Sequence, residues 1–283
     1  MNTTDELIDE LITLAFAEDI GDGDHTTLCC IPSEAEGKSQ LIIKEEGVLA
    51  GVEMAQRIFH RFDPAMQIDV LIPDGTEVKK GDIAFTVEGK VRSLLQTERL
   101  VLNVMQRMSG IATTTRRYVR QLDGLKTKIL DTRKTTPGMR ILEKEAVSIG
   151  GGVNHRIGLF DMILLKDNHI DFACGIKQAI TSARNYLKEK GKDLKIEIEV
   201  RHFDELEEIL ETGGIDRIML DNFTPADTKE AVRRIGGRYE TESSGGITFD
   251  NIREYAACGV DYISVGALTH SFKSLDMSLK AVN

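Results

Sequence analysis

Several patterns that mark particular classes of protein are scarce or missing in this sequence of 283 residues. It has no tryptophan, five prolines and no repeated low-complexity tract. No apolar run reaches the roughly 18 to 20 residues that cross a bilayer, and the opening MNTTDELIDELI is acidic where a signal peptide is basic. These absences exclude a fibrous, linker-like or membrane-spanning class. We expect a soluble, cytoplasmic protein without a membrane partner.

Cysteine and glycine patterns exclude further classes. The four cysteines form no CxxC pair and lie in no Cys/His cluster with the spacing of a zinc site. We therefore expect buried or inert thiols, although the adjacent Cys29 and Cys30 leave a redox role open. The glycine-rich GGGVNHR at 150–156 lacks the GK[ST] of a phosphate loop, and no GxGxxG opens a βαβ unit.

Charge is distributed unevenly along the chain. The formal net charge is −10, yet residues 92–169 hold 14 Lys and Arg against seven Asp and Glu. A basic middle within an acidic protein indicates one site for an anionic ligand and disfavours a nucleic-acid partner, because proteins that bind nucleic acid over a broad surface are usually basic throughout. Arg116, Arg117 and Arg120 fit equally well on a solvated helix face.

The order of predicted elements indicates an α/β fold. The first third is a small mixed unit, with a helix from Asp5 to about Glu18 and short strands. A long helix follows over Ser93–Leu122, in which Ser109-Gly110 marks a kink or a close-packing point. After it, strands alternate with amphipathic helices, which predicts a parallel barrel short of eight strands. The six predicted strands are KILD, DMILLK, KIEIEV, DRIMLD, ETESS and DYISVG.

Every predicted barrel strand ends in polar or glycine residues. Since the carboxyl ends of parallel strands form one rim, and active sites of such barrels lie there, we expect these residues to share a site. A single charged strand end is also common as a structural ion pair, but six along one rim are harder to explain in that way. The strand-end residues are Arg133, Lys134, Lys166, Glu199, Asp221, Ser244, Gly245, Gly246 and Gly266.

The rim residues divide by chemistry. A cationic group suits carboxylates and phosphates, and comprises Arg133, Lys134, Arg140, His155, Arg156 and Lys166. Glu199 and Asp221 are predicted to hold Mg²⁺ on a pyrophosphate, the alternative being that they are counter-ions of Lys166 or Arg133. The turns SSGG and SVGA leave backbone N–H groups open to a phosphate, with His270 as a further donor. His169 is expected to orient its loop.

These residues lie in motifs that resemble the quinolinate phosphoribosyltransferase family, the decarboxylating nicotinate-nucleotide pyrophosphorylases of NAD biosynthesis. The resemblance covers nearly the whole chain, although residues 1–90 match in pattern more than in motif. The matching motifs are TERLVLNVMQRMSGIAT, DTRKTTPGMR, GGGVNHRIGLFDMILLKDNHI, EIEV, IMLDN, ESSGGIT and GVDYISVGALTHS.

The resemblance implies an N-terminal α/β sandwich (residues 1–110, joined by the tail 271–283) and an incomplete six- or seven-stranded parallel α/β barrel (111–270). It implies a homodimer or higher oligomer in which Arg99 reaches into the partner's site. The substrates would be quinolinate and phosphoribosyl pyrophosphate, with Mg²⁺ and no pyridoxal phosphate, thiamine or flavin.

Site roles also follow from the resemblance. Lys134, Lys166, Glu199 and Asp221 would be catalytic, and the two acids would lie around the ribose and the metal-bound pyrophosphate. The pocket for the quinolinate carboxylates and the phosphoribosyl donor would be lined by Arg133, Lys134, His155, Arg156 and Lys166, with Arg140 near it. The 5′-phosphate contacts would be Ser244, Gly245, Gly266 and His270.

Three other functions remain open from sequence. One is a barrel lyase that uses Lys166 as a Schiff-base nucleophile, although the many fixed cations argue against it. Another is a non-catalytic relative associated with molybdenum transport that binds an oxyanion. The nearest alternative enzyme is a nicotinate or nicotinamide phosphoribosyltransferase, but this pocket has more cations than one carboxylate needs.

Overall fold

The computed structural model describes residues 4–282, which fall into two compact units. The first unit contains the chain up to Arg116, Thr135–Gly151 and the chain from Leu268 onward, and the second contains Arg117–Lys134 and Gly152–Ala267. The segment 135–151 thus groups with the first unit, and the domain limits 1–110 and 111–270 stay a prediction.

Helices and strands alternate through most of the chain. The helices are α1 (Thr4–Ile20), α2 (His25–Cys30), α3 (Val52–Phe62), α4 (Val91–Gln121), α5 (Arg140–Ile149), α6 (Asp167–Phe172), α7 (Ile176–Lys190), α8 (Phe203–Thr212), α9 (Pro225–Ile235), α10 (Ile252–Ala257) and α11 (Ala267–His270). The strands are β1 (Glu36–Ile43), β2 (Gly47–Val48), β3 (Gln67–Val70), β4 (Glu77–Val78), β5 (Ile83–Lys90), β6 (Lys128–Leu130), β7 (Ile163–Leu165), β8 (Ile196–Val200), β9 (Arg217–Asp221), β10 (Glu240–Ser244), β11 (Tyr262–Ser264) and β12 (Met277–Val282).

The first unit is built on an antiparallel sheet in the order β12-β1-β5-β3. Alternate residues of β1 face the core, so that Leu41 is fully buried and lies in register with Leu279 on one side and Phe85 on the other. Helix α3 covers this face, and its Phe59 meets Phe85 edge to face with ring centroids 6.0 Å apart. The C-terminal strand β12 is thereby part of the first sheet.

Helix α4 packs closely at the predicted Ser109-Gly110 step. A Cβ on Gly110 would lie well inside contact distance of the Lys273 carbonyl oxygen, so only glycine fits there. Ser109 Oγ donates to the Ala50 carbonyl (3.0 Å) and accepts from the Ala50 N–H (2.9 Å). The predicted close-packing point is confirmed.

The second unit contains the parallel sheet predicted from sequence. All six expected strands are present, in the order β6-β11-β10-β9-β8-β7. Val153 extends the sheet beyond β6, because its N–H donates to Ile129 (2.8 Å) and its carbonyl accepts from Asp131 (3.2 Å). The incomplete parallel barrel is confirmed as the fold class.

Of the two alternatives predicted for the cysteines, buried or inert, burial does not hold for three of the four, and inertness stays a prediction. Cys29, Cys30 and Cys174 are exposed, and Cys258 is half-buried. The first two lie on the short helix α2, whose one buried residue is Thr27. None of the four forms a disulfide.

Among residues 4–282, no helix combines the length and the apolar character needed to cross a membrane.

Candidate active site

The second unit places the strand-end residues along one rim, as expected from parallel strands. Lys166 directly follows β7, Glu199 is the penultimate residue of β8, Asp221 ends β9 and Ser244 ends β10. Arg133 follows β6 by three residues and is exposed, as is Lys134. The order of strands in the sheet makes this a continuous edge that carries both cations and acids.

Beneath the rim, the interior of the barrel is charged. Side chains alternate along a strand, so Glu197 shares a face with Glu199, and Arg217 shares one with Asp221. Arg217 stands in register between Glu197 and Glu240 on the two adjacent strands. Its guanidinium bonds to Glu240 and Glu242, each at 3.2 Å, and covers the Tyr262 ring at 4.2 Å. A buried cation on β9 thus holds two acids of the neighbouring strand β10.

His155 is anchored in this charged interior. His155 is 8% exposed, and its Nε2 lies 2.9 Å from Glu197 Oε2 and 3.4 Å from Glu242 Oε2. Glu197 and Glu242 are both fully buried. The His155 backbone N–H donates to Asp131 Oδ1 at 2.9 Å. The ring therefore faces into the barrel, and its predicted contact with substrate stays a prediction.

Proximity and burial shift the pKa values of this cluster. Burial would lower the pKa of His155, but the Glu197 and Glu242 carboxylates outweigh it and raise that pKa to about 9. The Arg156 N–H, which points at His155 Nδ1 (2.7 Å), acts in the opposite direction because it favours an unprotonated Nδ1. The carboxylate oxygens at 2.9 and 3.4 Å from Nε2 give the net direction, which is a raised pKa for His155. Burial and the Glu242 carboxylate raise the pKa of Glu197 to about 7.

Two guanidinium groups approach each other on the cationic part of the rim. Burial, and then the positive charge of Arg133, lower the pKa of Arg156. Arg156 donates to the Met162 carbonyl at 3.4 Å. Like charges held near each other in a half-buried place favour an anion between or beside them.

The acidic part of the rim combines two carboxylates and one ammonium group. Lys166 Nζ donates to Glu199 Oε2 at 2.9 Å, so Glu199 is a counter-ion of Lys166, as one sequence interpretation proposed. Burial and the nearby Glu199 carboxylate raise the pKa of Asp221, which accepts from Asn222 Nδ2 at 2.7 Å. His169 Nδ1 accepts from the Lys166 N–H at 3.0 Å, which confirms its loop-orienting role.

The turn after β10 is open and restricted to small residues. Gly245 has φ +86°, and a Cβ there would lie 2.9 Å from the Asn222 backbone nitrogen. Gly246 has φ +61°, and no atom lies within 4 Å of the place of its Cβ. After β11, the partly exposed Gly266 directly precedes α11. The phosphate-binding role of Ser244, Gly245 and Gly266 stays a prediction.

Three predicted site residues belong to the first unit. Arg99 is exposed on α4, and its side chain forms no hydrogen bond or ion pair with another residue of the described range 4–282. Arg140 opens α5, where its Nε donates to Thr135 Oγ1 at 3.0 Å. His270 is exposed, with its Nδ1 2.6 Å from Ser271 Oγ.

A buried carboxylate supports the loop before Arg140. Glu143 is fully buried, pairs with Arg107 Nε at 2.9 Å and accepts from the Thr136 N–H at 3.3 Å. Arg107 also lies over the Phe272 ring at 4.8 Å. Sequence reasoning missed Glu143, because a lone acid on an amphipathic helix gives no signal of burial.

Sequence reasoning also missed the charged interior of the barrel. Glu197, Arg217 and Glu242 lie two residues before Glu199, four before Asp221 and two before Ser244. A period of two in IEIEV, RIMLD and ETESS places these side chains on the same face as the predicted rim residues. This alternation is the sequence signal from which the charged interior could have been predicted.

The fold and this rim define a class: an α/β-barrel protein with a cationic site for an anionic ligand, beside two carboxylates. Comparison with known proteins narrows the class. The family model of the quinolinate phosphoribosyl transferase N-terminal domain matches residues 24–109, and the model of the C-terminal domain matches residues 111–280. The chain therefore belongs to the quinolinate phosphoribosyl transferase family.

Individual relatives match over nearly the whole chain. Quinolinate phosphoribosyltransferase [decarboxylating] 1b of Nicotiana tabacum is 44% identical over 95% of this chain and 81% of its own length. The probable nicotinate-nucleotide pyrophosphorylase [carboxylating] of Bacillus subtilis is 43% identical, over 95% of this chain and 92% of its own. The crystal structure of NadC from Streptococcus pyogenes superposes with a TM-score of 0.92 at 39% identity and covers all of both chains.

Removing the buried cation of the barrel should destabilise the second unit. We expect Arg217→Leu to lower the free energy of unfolding by roughly 3–5 kcal/mol, because it leaves buried carboxylates uncompensated. The loss should be larger at pH 8 than at pH 5.5: without Arg217 the folded-state pKa values of these acids rise, and a raised pKa costs stability as pH increases. Urea unfolding at both pH values measures the loss in free energy of unfolding.

Arg233→Leu is the matched control, since Arg233 forms an exposed pair with Glu230 on α9. We expect no measurable change there, and an Arg217 variant as stable as this control would contradict a structural role for the buried pair.

Proposed function

We propose that this protein transfers the phosphoribosyl group of phosphoribosyl pyrophosphate to quinolinate and removes one carboxyl group, in de novo NAD biosynthesis. The products are nicotinate mononucleotide, pyrophosphate and CO₂. Family membership supports the activity, and the observation that carries it is the rim, where the positive charge of Arg133 acts on Arg156, and Lys166 pairs with Glu199 near Asp221.

The charges of this rim suit both substrates. Quinolinate brings two carboxylates and the donor brings a 5′-phosphate and a pyrophosphate, so the site must hold several negative charges at once. Arg133, Lys134, Arg156 and Lys166 supply fixed positive charge, arginine through a planar pair of donors. The open space at Gly246, beside the tightly packed Gly245, leaves room for a phosphate near backbone N–H groups.

The transfer requires charge stabilisation more than covalent catalysis. The quinolinate nitrogen attacks C1 of the ribose while the bond from C1 to the pyrophosphate oxygen breaks, and pyrophosphate leaves with that electron pair. Positive charge develops on the ribose, where Glu199 or Asp221 stabilises it, and negative charge develops on the leaving group, where the cations Lys134 and Lys166 do so.

Decarboxylation uses the product of the first step. The ring nitrogen is now positively charged and stabilises the electron pair that stays on the ring carbon when the bond to the 2-carboxylate breaks. CO₂ leaves, and a proton takes its place on the carbon. The substrate itself therefore provides the electron sink.

The direct test is a reaction of the full-length protein with Mg²⁺, phosphoribosyl pyrophosphate and either quinolinate or nicotinate. We expect CO₂ and nicotinate mononucleotide in equal amounts from quinolinate alone. Product only from nicotinate would replace the substrate assignment with a nicotinate phosphoribosyltransferase. Absence of turnover with either acid would contradict the enzyme assignment and favour an oxyanion-binding protein.

Mg²⁺ fits the acidic part of the rim. Glu199 and Asp221 offer carboxylate oxygens, the ligand atoms that Mg²⁺ prefers, and burial together with repulsion from Glu199 raises the pKa of Asp221. A cation between or near them would relieve that repulsion. When bound, Mg²⁺ would neutralise charge on the pyrophosphate.

Changing either acid should reduce turnover. We expect Glu199→Gln and Asp221→Asn each to lower kcat/KM by more than about tenfold, equal to roughly 1.4 kcal/mol of transition-state stabilisation. A metal ligand also raises the Mg²⁺ concentration needed for half-maximal rate, whereas a mere counter-ion of Lys166 leaves it unchanged. Titration with Mg²⁺ separates these roles.

Glu189→Gln, at an exposed pair with Lys190 on α7, is the control and should behave as wild type. Normal turnover in both acid variants would remove these carboxylates from the mechanism.

The site is proposed to be shared within a homodimer or higher homo-oligomer. Arg99 is an exposed cation without a partner within the described range 4–282, which suits a side chain that serves another chain's anionic ligand. The family resemblance of TERL points the same way.

Mixing two inactive variants tests the sharing. Arg99→Ala and Lys166→Ala should each abolish most turnover, because each removes one cation from every site. A mixed dimer contains one site with both cations intact, so up to about half the activity of wild type should return per mixed dimer. No recovery in a mixed dimer verified by mass would contradict the sharing.

A cytoplasmic location is part of the proposal. Proteins similar to this chain include forms named chloroplastic and mitochondrial. A Schiff-base lyase is disfavoured because Lys166 Nζ is held in an ion pair with Glu199 at 2.9 Å.

A further inference from the structure

Glu197 is a fully buried carboxylate that the proposed reaction does not use. It lies on β8 two residues before the rim acid Glu199, and it has no solvent-exposed surface. Burying a carboxylate is costly unless a charged or donor group compensates it. The position therefore requires a partner inside the barrel.

His155 is that partner. Its Nε2 lies 2.9 Å from Glu197 Oε2, which is an ion-pair contact. Glu242 approaches the same nitrogen at 3.4 Å but is also held by Arg217 at 3.2 Å. Of the two acids, Glu197 is the one that serves His155 most directly.

The position of His155 determines that of a rim cation. Its backbone N–H is held by Asp131, and its ring lies 2.7 Å from the backbone N–H of Arg156. Arg156 is the next residue in the chain and belongs to the cationic rim. A ring that is free to rotate would loosen both contacts.

We propose that Glu197 is a positioning residue that acts through His155, holding its ring and charge so that His155 and Arg156 present a fixed cationic surface to the quinolinate carboxylates. The proposal rests on the proposed function for its ligand. It adds a residue below the rim to those that determine substrate binding.

The ring of His155 in the ligand-free, full-length protein provides the first measurement. The charged groups around it are Glu197 from β8, Glu242 from β10, Arg217 from β9, Asp131 after β6, and Arg156. In ¹⁵N-imidazole NMR, with the His155 signal assigned by its loss in His155→Asn, the wild-type ring should stay protonated up to about pH 9. Glu197→Gln should lower this midpoint by about one pH unit or more.

The matched control is Glu205→Gln. Glu205 is also a buried acid, 7% exposed, paired with Arg201 and 3.5 Å from the ring of His202. It should leave the His155 midpoint unchanged. An unchanged midpoint in Glu197→Gln as well would overturn the proposal. If Glu197→Gln does not fold, Glu197→Asp, which withdraws the charge by one methylene, is tested in its place.

A double-mutant cycle provides the functional measurement. Glu197→Gln should raise KM for quinolinate about tenfold with kcat within about twofold, because the contact is made equally in the ground and transition states. In the His155→Asn background, the same change should have no further effect on KM. A full additional rise in that background would show that Glu197 acts by another route and would overturn the proposal.

Failure of the proposed function gives a different result. Wild-type protein would then show no turnover with quinolinate, while the NMR midpoint of His155 would still respond to Glu197→Gln. The two failures are therefore distinguishable.

Discussion

Charge within the barrel of the second unit is the constraint on which the site depends. Barrel interiors are usually filled by branched aliphatic side chains, but here Glu197, Glu242, Arg217 and His155 occupy that space. Buried charges are tolerated only when they are paired in good geometry. Pairing across β8, β9 and β10 therefore couples the strands through electrostatics as well as through their backbone hydrogen bonds.

The same alternation that buries these charges also builds the rim. Residues two positions apart on a strand share a face, so Glu197 lies below Glu199 and Glu242 below Ser244. The lower residues are buried, and the upper residues are the ones proposed to contact the ligand. A substitution in the lower layer would therefore reach the proposed site through its effect on the layer above.

The acidic and cationic parts of the rim serve opposite ends of the proposed reaction. Lys166 pairs with Glu199, while burial and the Glu199 carboxylate raise the pKa of Asp221, which makes this part of the rim suited to a further cation. Arg133 and Arg156 repel each other and are suited to an anion. Metal-bound phosphates would suit the acidic part of the rim, and carboxylates would suit the cationic part. This supports a phosphoribosyl donor and a diacid as the pair of ligands.

The sequence by itself determined the strand order along the chain, the parallel barrel and the residues of the rim, because periodicity and position at strand ends are local properties. The long motifs around Arg133, His155 and Lys166 also sufficed to identify the family. Burial was decided by the tertiary structure: it enclosed Glu197, Glu242 and Glu143 and left Cys29 and Cys30 exposed. Whether a polar side chain is buried depends on what distant segments place around it. The Lys166–Glu199 and His155–Glu197 pairs likewise join residues more than thirty positions apart, which no local pattern specifies.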